Sequence, residues 1–432
     1  MTADSTPFGK HFRLKYFGFD PNYVPLNHGS FGAAPNPVAQ RRATEIVELT
    51  RNPDKYLRFT IADRLDSALD SVAPYVGLTE KNKNGLVFVS NATVGVNTVL
   101  RSFPFASRDA IIYASSTYGA CAKTVQFVQS RVGLKSYKVN IEYPFTNKAV
   151  VDAYADAIDK AKKESPEGTV VVLFDAVSSQ PGCKLPWKEL TALCKTKSAL
   201  SLVDAAHGVG LLTDIDLDTV QPDFFVSNLH KWFFCPGPSA LLYVAKQHHP
   251  VIQTFPISHS YVPETSISEY PEETLLRDKF RFVGTSDYTT YISTLAAIDF
   301  RENVCGGENK IQEYTFKLAR EAAALFQREF ATESVTALDD SDTTATAMVN
   351  VYLPSPSGPL DSDGKIDLGF AADNIQYSLL HKSNVYFPIG VLNGKLYTRL
   401  SAQVYLELAD FEAGIQAFKK QFAEHESKYS GK

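Results

Sequence analysis

Short apolar runs that alternate with amphipathic stretches dominate the middle of the chain. The runs are apolar at nearly every position, which is typical of strands buried on both faces of a parallel sheet. The amphipathic stretches between them suit crossover helices, so the pattern predicts a large α/β domain from about 75 to 295. The apolar runs are 85–89, 110–113, 169–174, 200–203, 224–226 and 240–244.

The two ends of the chain have other patterns. Residues 1–35 are irregular and rich in aromatics, proline and glycine, which indicates an N-terminal arm. Residues 36–74 have apolar side chains at helical spacing and lead into the large domain. The pattern along residues 296–432 predicts a smaller C-terminal α+β domain. Its predicted elements are a helix at 310–329, strands at 347–353 and 396–401, an exposed loop at 355–367 and a helix at 409–425.

Composition excludes several classes of protein. The chain has 432 residues, 44% hydrophobic and 21% charged, as expected of a globular protein with one large and one smaller domain. No run approaches the roughly 20 apolar residues of a membrane span. The net charge of -5, with both signs mixed, predicts no nucleic-acid partner. Without a targeting pattern at either end, we expect a cytoplasmic location. Five scattered cysteines predict neither a disulfide framework nor a metal site.

A single lysine, Lys231, lies between an apolar run and two aromatic residues in the segment 227–234. Such surroundings make a charged ammonium costly. Lysines of this kind form Schiff bases with carbonyl compounds, including the aldehyde of pyridoxal phosphate. A lysine at the end of a buried strand can also extend to water, so the segment alone leaves both interpretations open.

Polar residues follow two other apolar runs, at positions where ligands bind in open parallel sheets. Asn91, Ala92 and Thr93 open a predicted helix, whose free N–H groups favour a phosphate, although an ordinary N-cap explains the same residues. Asp204 follows the run 200–203. A carboxylate about 4 Å from a pyridine nitrogen favours the protonated ring by roughly 4 kcal/mol, or about three pKa units. His207 could hydrogen-bond the phenolic oxygen of that ring or cap the turn.

Three motifs together resemble a known family. The segments 204–207, 227–232 and 284–287, in this order and spacing, resemble the class V aminotransferase group of fold-type I pyridoxal phosphate enzymes. The segment 26–32 resembles the branch of isopenicillin N epimerase. The segments 91–101, 117–121 and 399–407 are similar to the hercynylcysteine sulfoxide lyases of ergothioneine biosynthesis and to the loline-alkaloid enzyme of the same branch. The resemblance runs from about residue 15 to 425.

The resemblance implies a fold, a cofactor and a set of roles. The fold is the fold-type I α/β architecture: a large domain with a mostly parallel, seven-stranded-type sheet and a smaller C-terminal α+β domain. The cofactor is pyridoxal 5'-phosphate. Lys231 is the implied Schiff-base lysine, Asp204 the partner of the ring nitrogen and Tyr118 a catalytic acid. The other implied residues are Ala92, Thr93, Ser227 and His230 at the phosphate, His207 near the phenolic oxygen, Thr285 at the phosphate of the second subunit of a homodimer, and Arg399 at the substrate carboxylate.

The resemblance identifies the reaction less specifically than it identifies the cofactor. We expect an amino-acid-type substrate and, first, β-elimination of a C–S bond with Tyr118 assisting the leaving group. Decarboxylative ring closure of the loline type, epimerisation and transamination are the alternatives. A binding protein without activity is disfavoured because Lys231, Asp204 and Arg399 are all present. No cysteine follows Cys305, which disfavours the protein persulfide of cysteine desulfurases. The arm around Asn27 and His28 is expected to contact the substrate. Alternative roles are a surface ion pair for Arg399 and a packed aromatic for Tyr118.

Overall fold

The computed structural model describes residues 6–335 and 346–429. The chain divides into two compact units. We call residues 37–178 with 185–300 the large unit, and residues 1–36, 179–184 and 301–432 the small unit. The first five and last three residues, which entered the expectation of no targeting signal, lie outside the described residues.

A seven-stranded sheet forms the centre of the large unit. Its strand order is β1-β7-β6-β5-β4-β2-β3. Strands β2 to β6 pair in parallel, and β7 pairs antiparallel with both β6 and β1. The mostly parallel sheet predicted from the apolar runs is therefore confirmed. The strands are β1 Leu86–Val89, β2 Ala110–Ala114, β3 Lys135–Val139, β4 Val170–Asp175, β5 Leu200–Asp204, β6 Phe224–Asn228 and β7 Ala240–Val244.

Strand β3 is the one member of this sheet that the apolar pattern does not predict. It lies at the edge of the sheet, and two of its five residues are exposed lysines, Lys135 and Lys138. An edge strand buries little of its surface, so it lacks the continuous apolar run that marks the inner strands.

Helices surround this sheet. Among the residues that the structure describes, no helix is both long and apolar enough to cross a membrane. The α-helices from residue 36 to 299 are Asn36–Arg51, Pro53–Lys55, Ile61–Val72, Ala92–Ser102, Gly119–Val132, Asn147–Glu164, Trp187–Thr196, Leu217–Val220, Leu229–Trp232, Leu275–Phe280, Thr289–Ile292 and Thr294–Asp299. Tighter or wider turns are the 3₁₀-helices Ala73–Val76, Lys83–Gly85, Lys246–His248 and Glu264–Glu269 and the π-helices Tyr56–Thr60 and Phe300–Val304.

The small unit contains a three-stranded antiparallel sheet in the order β9-β10-β8. Its strands are β8 Met348–Tyr352, β9 Ile389–Leu392 and β10 Lys395–Ser401, so both predicted strands are present and β9 is additional. In the N-terminal arm, Val24–Pro25 pairs in parallel with Val385–Tyr386. The helices of this unit are Lys10–Tyr16, His28–Phe31, Glu308–Phe330, Leu368–Ser383 and Leu408–Tyr429.

Candidate active site

Polar side chains follow adjacent strands at one edge of the large sheet. Strand β4 ends at Asp175, β5 at Asp204 and β6 at Asn228, and the helix Ala92–Ser102 begins just after β1. Because β1 and β4 to β6 run in the same direction, their carboxyl ends meet at the same edge. Hydrogen bonds join the segment of Ala92 to that of Asn228, and the segment of His207 to that of Lys231.

Lys231 belongs to the single helical turn Leu229–Trp232 that follows β6. Its Nζ lies 3.2 Å from His207 Nε2. The other nitrogen of that imidazole, Nδ1, accepts a hydrogen bond of 3.1 Å from the indole Nε1 of Trp232. His207 is 1% exposed and Trp232 2% exposed, so the imidazole is held away from bulk water between two consecutive residues of one turn.

Asp204 is the buried carboxylate of the site. Its Oδ1 accepts from the backbone N–H of Ala206 at 3.0 Å, and its Oδ2 accepts from the thiol of Cys121 at 3.4 Å. Asp175 is its register partner on the neighbouring strand and is also buried. Within the described residues, Asp175 Oδ2 has no hydrogen-bond partner.

The two carboxylates do not share their charge equally. Burial raises the pKa of Asp204, but hydrogen bonds from the Ala206 N–H and the Cys121 thiol favour its ionised form. The pKa of Asp175 is raised well above its usual range by burial and then by the charge of Asp204. We therefore assign the negative charge to Asp204 and the proton to Asp175.

A second group of polar atoms lies at the start of the helix Ala92–Ser102. The Asn91 side chain accepts from Val94 N at 2.9 Å, and Asn228 Oδ1 accepts from Ala92 N at 2.8 Å. Neither the backbone N–H nor the hydroxyl of Thr93 has a hydrogen-bond partner among the described residues. A half-buried helix start with these donors suits an anion, as the sequence predicts.

Ser227 and His230, two predicted phosphate residues, have partners within the protein. The Ser227 hydroxyl is fully buried and accepts from Val209 N at 2.9 Å. His230 Nδ1 lies 3.3 Å from the backbone nitrogen of Ser239 and only 2.8 Å from its carbonyl oxygen, so the closer contact favours Nδ1 as the donor; burial lowers the pKa of His230. A neutral His230 leaves its Nε2 as an acceptor, so it would donate to a phosphate only after the anion favours its charged form.

Tyr118 and Thr285 are exposed in this chain. Tyr118 is 50% exposed and immediately precedes the helix Gly119–Val132 after β2. Thr285 is exposed and follows Gly284, which has a positive φ of 86°. The catalytic role of Tyr118 and the intersubunit role of Thr285 stay predictions.

These residues fit pyridoxal phosphate. Lys231 offers an amine for the aldehyde, and Asp204 offers a buried carboxylate for a cationic ring nitrogen. Thr93 offers an unpaired N–H and a hydroxyl for the phosphate. A buried charge is stable only when it is paired. The charged ring would pair with the ionised Asp204 and not with the protonated Asp175.

In the small unit, Arg399 of β10 is 1% exposed. Its Nη1 donates to the carbonyl of Ser179 at 2.8 Å, and its Nη2 donates to Asn27 Oδ1 and to Ser30 Oγ, both at 2.8 Å. Arg399 Nε has no partner, and no carboxylate pairs with this guanidinium among the described residues. Burial lowers the pKa of Arg399 to about 10. The alternative role considered for Arg399, a surface ion pair, is therefore wrong.

Residues of the N-terminal arm, together with Leu380, Tyr386 and Tyr405, line a cavity of about 390 Å³ in the same unit. Asn27 lines it and also binds Arg399. His28 lines it too, with its Nδ1 2.9 Å from the hydroxyl of Tyr405. Most of the remaining wall is aromatic: Phe19, Tyr23, Phe31, Tyr386 and Tyr405.

Some site residues were missed by the sequence predictions. Asn228, not Ser227, contacts the helix start, and Cys121 contacts Asp204. Ser30 and Ser179 hold Arg399. Asn228 and Ser30 stand inside the motifs that carry the family resemblance, so their position was a signal. Cys121 also stands inside such a motif, 117–121, but a thiol in a helix has no pattern that indicates a carboxylate partner.

Comparison with known proteins agrees with this geometry. The profile of the family described as Aminotransferase class-V matches residues 56–355. The L-cysteine desulfhydrase-like protein lolT1 of Epichloe uncinata is 31% identical, over 97% of this chain and 97% of that protein. Hercynylcysteine sulfoxide lyase of Schizosaccharomyces pombe is 28% identical, over 95% of this chain and 96% of that protein.

Solved structures show the same fold. The cysteine desulfurase CsdA of Escherichia coli superposes with a TM-score of 0.72 at 15% identity, covering 96% of this chain and 98% of that one. The cystine C-S lyase C-DES, in complex with its reaction product cysteine persulfide, superposes with a TM-score of 0.71 at 17% identity, covering 92% and 97%. At such low identity the likeness establishes the architecture and leaves the reaction open.

Proposed function

This chain belongs to the class-V aminotransferase family of pyridoxal phosphate enzymes, and from that premise we propose that it is a carbon–sulfur lyase acting on a cysteine conjugate. Bound pyridoxal phosphate supplies an electron sink for a bond broken at the α-carbon of an amino acid. Relatives named as cysteine desulfhydrases and as a hercynylcysteine sulfoxide lyase support C–S cleavage. A cysteine conjugate of the hercynylcysteine sulfoxide kind is the specific substrate that we propose.

The burial of every thiol is the observation that carries this choice over a cysteine desulfurase. All five cysteines lie in the described part of the chain and are buried. Burial raises the pKa of Cys194 and of Cys305 to about 12. A persulfide-forming cysteine must be an accessible thiolate. The sulfur of the substrate would therefore leave on a small molecule and not on the protein.

In the elimination, each of several residues of the large unit would have a separate role. The Lys231 amine, once displaced by the substrate amine, would take the proton from the α-carbon. Asp204 would keep the ring nitrogen protonated. Tyr118, half exposed at the start of its helix, would give a proton to the departing sulfur. Thr93 and His230 would bind the phosphate, with Thr285 contributed by the second subunit of a homodimer.

Arg399 would bind the substrate carboxylate. A wholly buried guanidinium without a carboxylate is unfavourable until an anion arrives. Its planar fork suits two parallel bonds to a carboxylate, which Asn27 and Ser30 would then orient. Asn27 lines the aromatic cavity as well, so we assign the cavity to the substituent carried on the substrate sulfur.

Product analysis tests the proposed reaction. The purified enzyme, loaded with pyridoxal phosphate, is incubated with a panel of cysteine S-conjugates and their sulfoxides. We expect pyruvate, ammonia and the sulfur-containing fragment in equal amounts for at least one member. A panel that yields neither pyruvate nor ammonia would overturn the proposal.

The same samples separate the alternative reactions. Carbon dioxide released from a carboxyl-labelled, γ-substituted amino acid would indicate ring closure of the loline type. Deuterium uptake at the α-carbon without net turnover would indicate epimerisation. Accumulation of pyridoxamine phosphate would indicate amino transfer. Each of these results would contradict the lyase assignment while keeping the cofactor.

Replacing Arg399 with glutamine is expected to raise KM for the amino-acid substrate by about 10²-fold. Removing one partner of a buried charge pair costs roughly 2–5 kcal/mol, and about 3 kcal/mol corresponds to this factor. Steady-state kinetics with the substrate and with its carboxamide give the measurement. The wild-type enzyme should prefer the carboxylate, and R399Q should lose that preference.

Arg301 provides the matched control in the same unit. It is also wholly buried, but its guanidinium already pairs with Glu308, with Nη2 donating to Oε2 at 2.6 Å. R301Q should therefore keep both the KM and the preference for the carboxylate, whatever its effect on stability. If R301Q raised KM as much as R399Q, the special role of Arg399 would be wrong.

A further inference from the structure

The indole of Trp232 fixes which nitrogen of His207 carries a proton. An indole N–H is a donor and never an acceptor. Since Trp232 Nε1 lies 3.1 Å from His207 Nδ1, this nitrogen must present a lone pair. An imidazole with a bare Nδ1 carries its proton on Nε2, because a ring without any N–H is not available near neutral pH.

The assigned proton points to Lys231. His207 Nε2 lies 3.2 Å from Lys231 Nζ, and this nitrogen is the donor of the contact. The lysine nitrogen must then accept, which an ammonium cannot do because it has no lone pair. The two contacts together therefore favour the neutral amine form of Lys231, which is the form that reacts with an aldehyde.

The backbone holds the two turns that make this contact. A Cβ at Gly210 would lie 2.6 Å from the carbonyl oxygen of Trp232, and Gly210 has a positive φ of 85°. Ser227 Oγ binds Val209 N at 2.9 Å. The segment that carries His207 is thus packed directly against the turn that carries Lys231 and Trp232. This packing fixes the backbone of Trp232 relative to the segment that carries His207.

We propose that Trp232 is a positioning residue that holds His207 as an Nε2–H donor toward the Lys231 nitrogen. The proposal rests on Lys231 being the cofactor lysine of the proposed function, but not on which bond the enzyme breaks. In this arrangement Trp232 and Lys231 contact the two nitrogens of one imidazole, so that the amine meets an aldehyde in its nucleophilic form.

The chain contains a matched control, because it has only two tryptophans. Trp187 is as buried as Trp232, at 1% exposed, but its Nε1 has no hydrogen-bond partner among the described residues. Trp232→Phe and Trp187→Phe therefore remove the same ring atoms from buried sites. Only the first removes a hydrogen bond to His207.

The decisive measurement uses protein without cofactor. Nitrogen-15 NMR of histidine-labelled protein shows which imidazole nitrogen bears the proton, and His207→Gln identifies the signal of interest. We expect His207 with a proton on Nε2 in the wild type and in W187F, and a mixture of both tautomers in W232F. A proton on Nδ1 in the wild type, or an unchanged tautomer in W232F, would overturn the proposal.

A second measurement follows the appearance of the visible band after pyridoxal phosphate is added to each protein. Losing one hydrogen bond should slow this reaction roughly three- to tenfold in W232F and leave W187F unchanged. Equal rates in all three proteins would count against the proposal. If W232F does not fold, the wild-type NMR signal alone still decides. Because the NMR needs neither cofactor nor substrate, it gives its answer even if no lyase activity is found.

Discussion

Lys231→Ala is expected to yield a protein without a covalently bound visible chromophore and with activity reduced by about 10⁴-fold or more. The amine beside His207 would serve twice, as the attachment point of the cofactor and as the base at the α-carbon. General acid–base groups alone contribute about 10²–10⁴-fold, and loss of the covalent link adds to this. Absorption spectra after dialysis and initial rates with the best substrate give the two measurements.

Two variants sharpen this prediction. Lys231→Arg keeps a positive charge, but a guanidinium neither forms the imine nor acts as a base near neutral pH, so it should fail as completely as alanine. Lys279 is a wholly buried lysine, whose pKa burial lowers to about 8. Its Nζ donates to three backbone carbonyls, including that of His249 at 2.9 Å. The folded fraction of the Lys279→Met variant should keep the chromophore. A band that survives in K231A but disappears in K279M would refute the assignment.

The contrast between these two lysines shows what the sequence could and could not predict. Lys231 stands out in the sequence because it follows an apolar run inside a motif, and its partners were predicted among the polar residues that follow other strands. Lys279 is wholly buried while Lys231 is only partly buried, yet Lys279 lies in a short helix with no motif around it. Burial alone therefore does not identify a reactive lysine; the groups around its nitrogen do, and they come from segments distant in sequence.

The choice between Ser227 and Asn228 has a similar physical cause. Adjacent residues at the end of a strand point to opposite faces of the sheet. A sequence does not reveal which face meets the helix that follows β1. The structure shows that Asn228 contacts Ala92 while Ser227 contacts Val209. The motif was predicted as a site, but the separate roles of its residues required the register of the sheet.

The inner strands were predicted more easily than the edge. Runs such as 170–174 are apolar because both faces of the sheet are covered there. At β3 the lysines face solvent, and the short strand β9 has only one fully buried residue, Ile389. The pairing of Asp175 with Asp204 follows from strand order, which apolar runs alone do not determine.

Asp204→Asn is expected to reduce kcat/KM by about 10³-fold at neutral pH. Asparagine has the same shape as aspartate but no charge, so it no longer favours a protonated ring nitrogen. The lost interaction is roughly 4 kcal/mol at an effective dielectric of 20, which corresponds to about three pKa units of the ring. Because solvent protonates more of the ring as pH falls, the residual activity of D204N should rise toward acidic pH. Rates across a pH series, at saturating cofactor, give the measurement.

Asp175→Asn is the control that makes this result specific. Asp175 lies beside Asp204 in register and is equally buried, but burial and then the charge of Asp204 hold its pKa well above the usual range. An asparagine resembles the protonated acid, so D175N should change kcat/KM by no more than about threefold and leave the pH profile in place. A loss in D175N as large as that in D204N would show that the pair carries its charge on the other carboxylate. Near-normal activity in D204N would remove the ring-nitrogen role altogether.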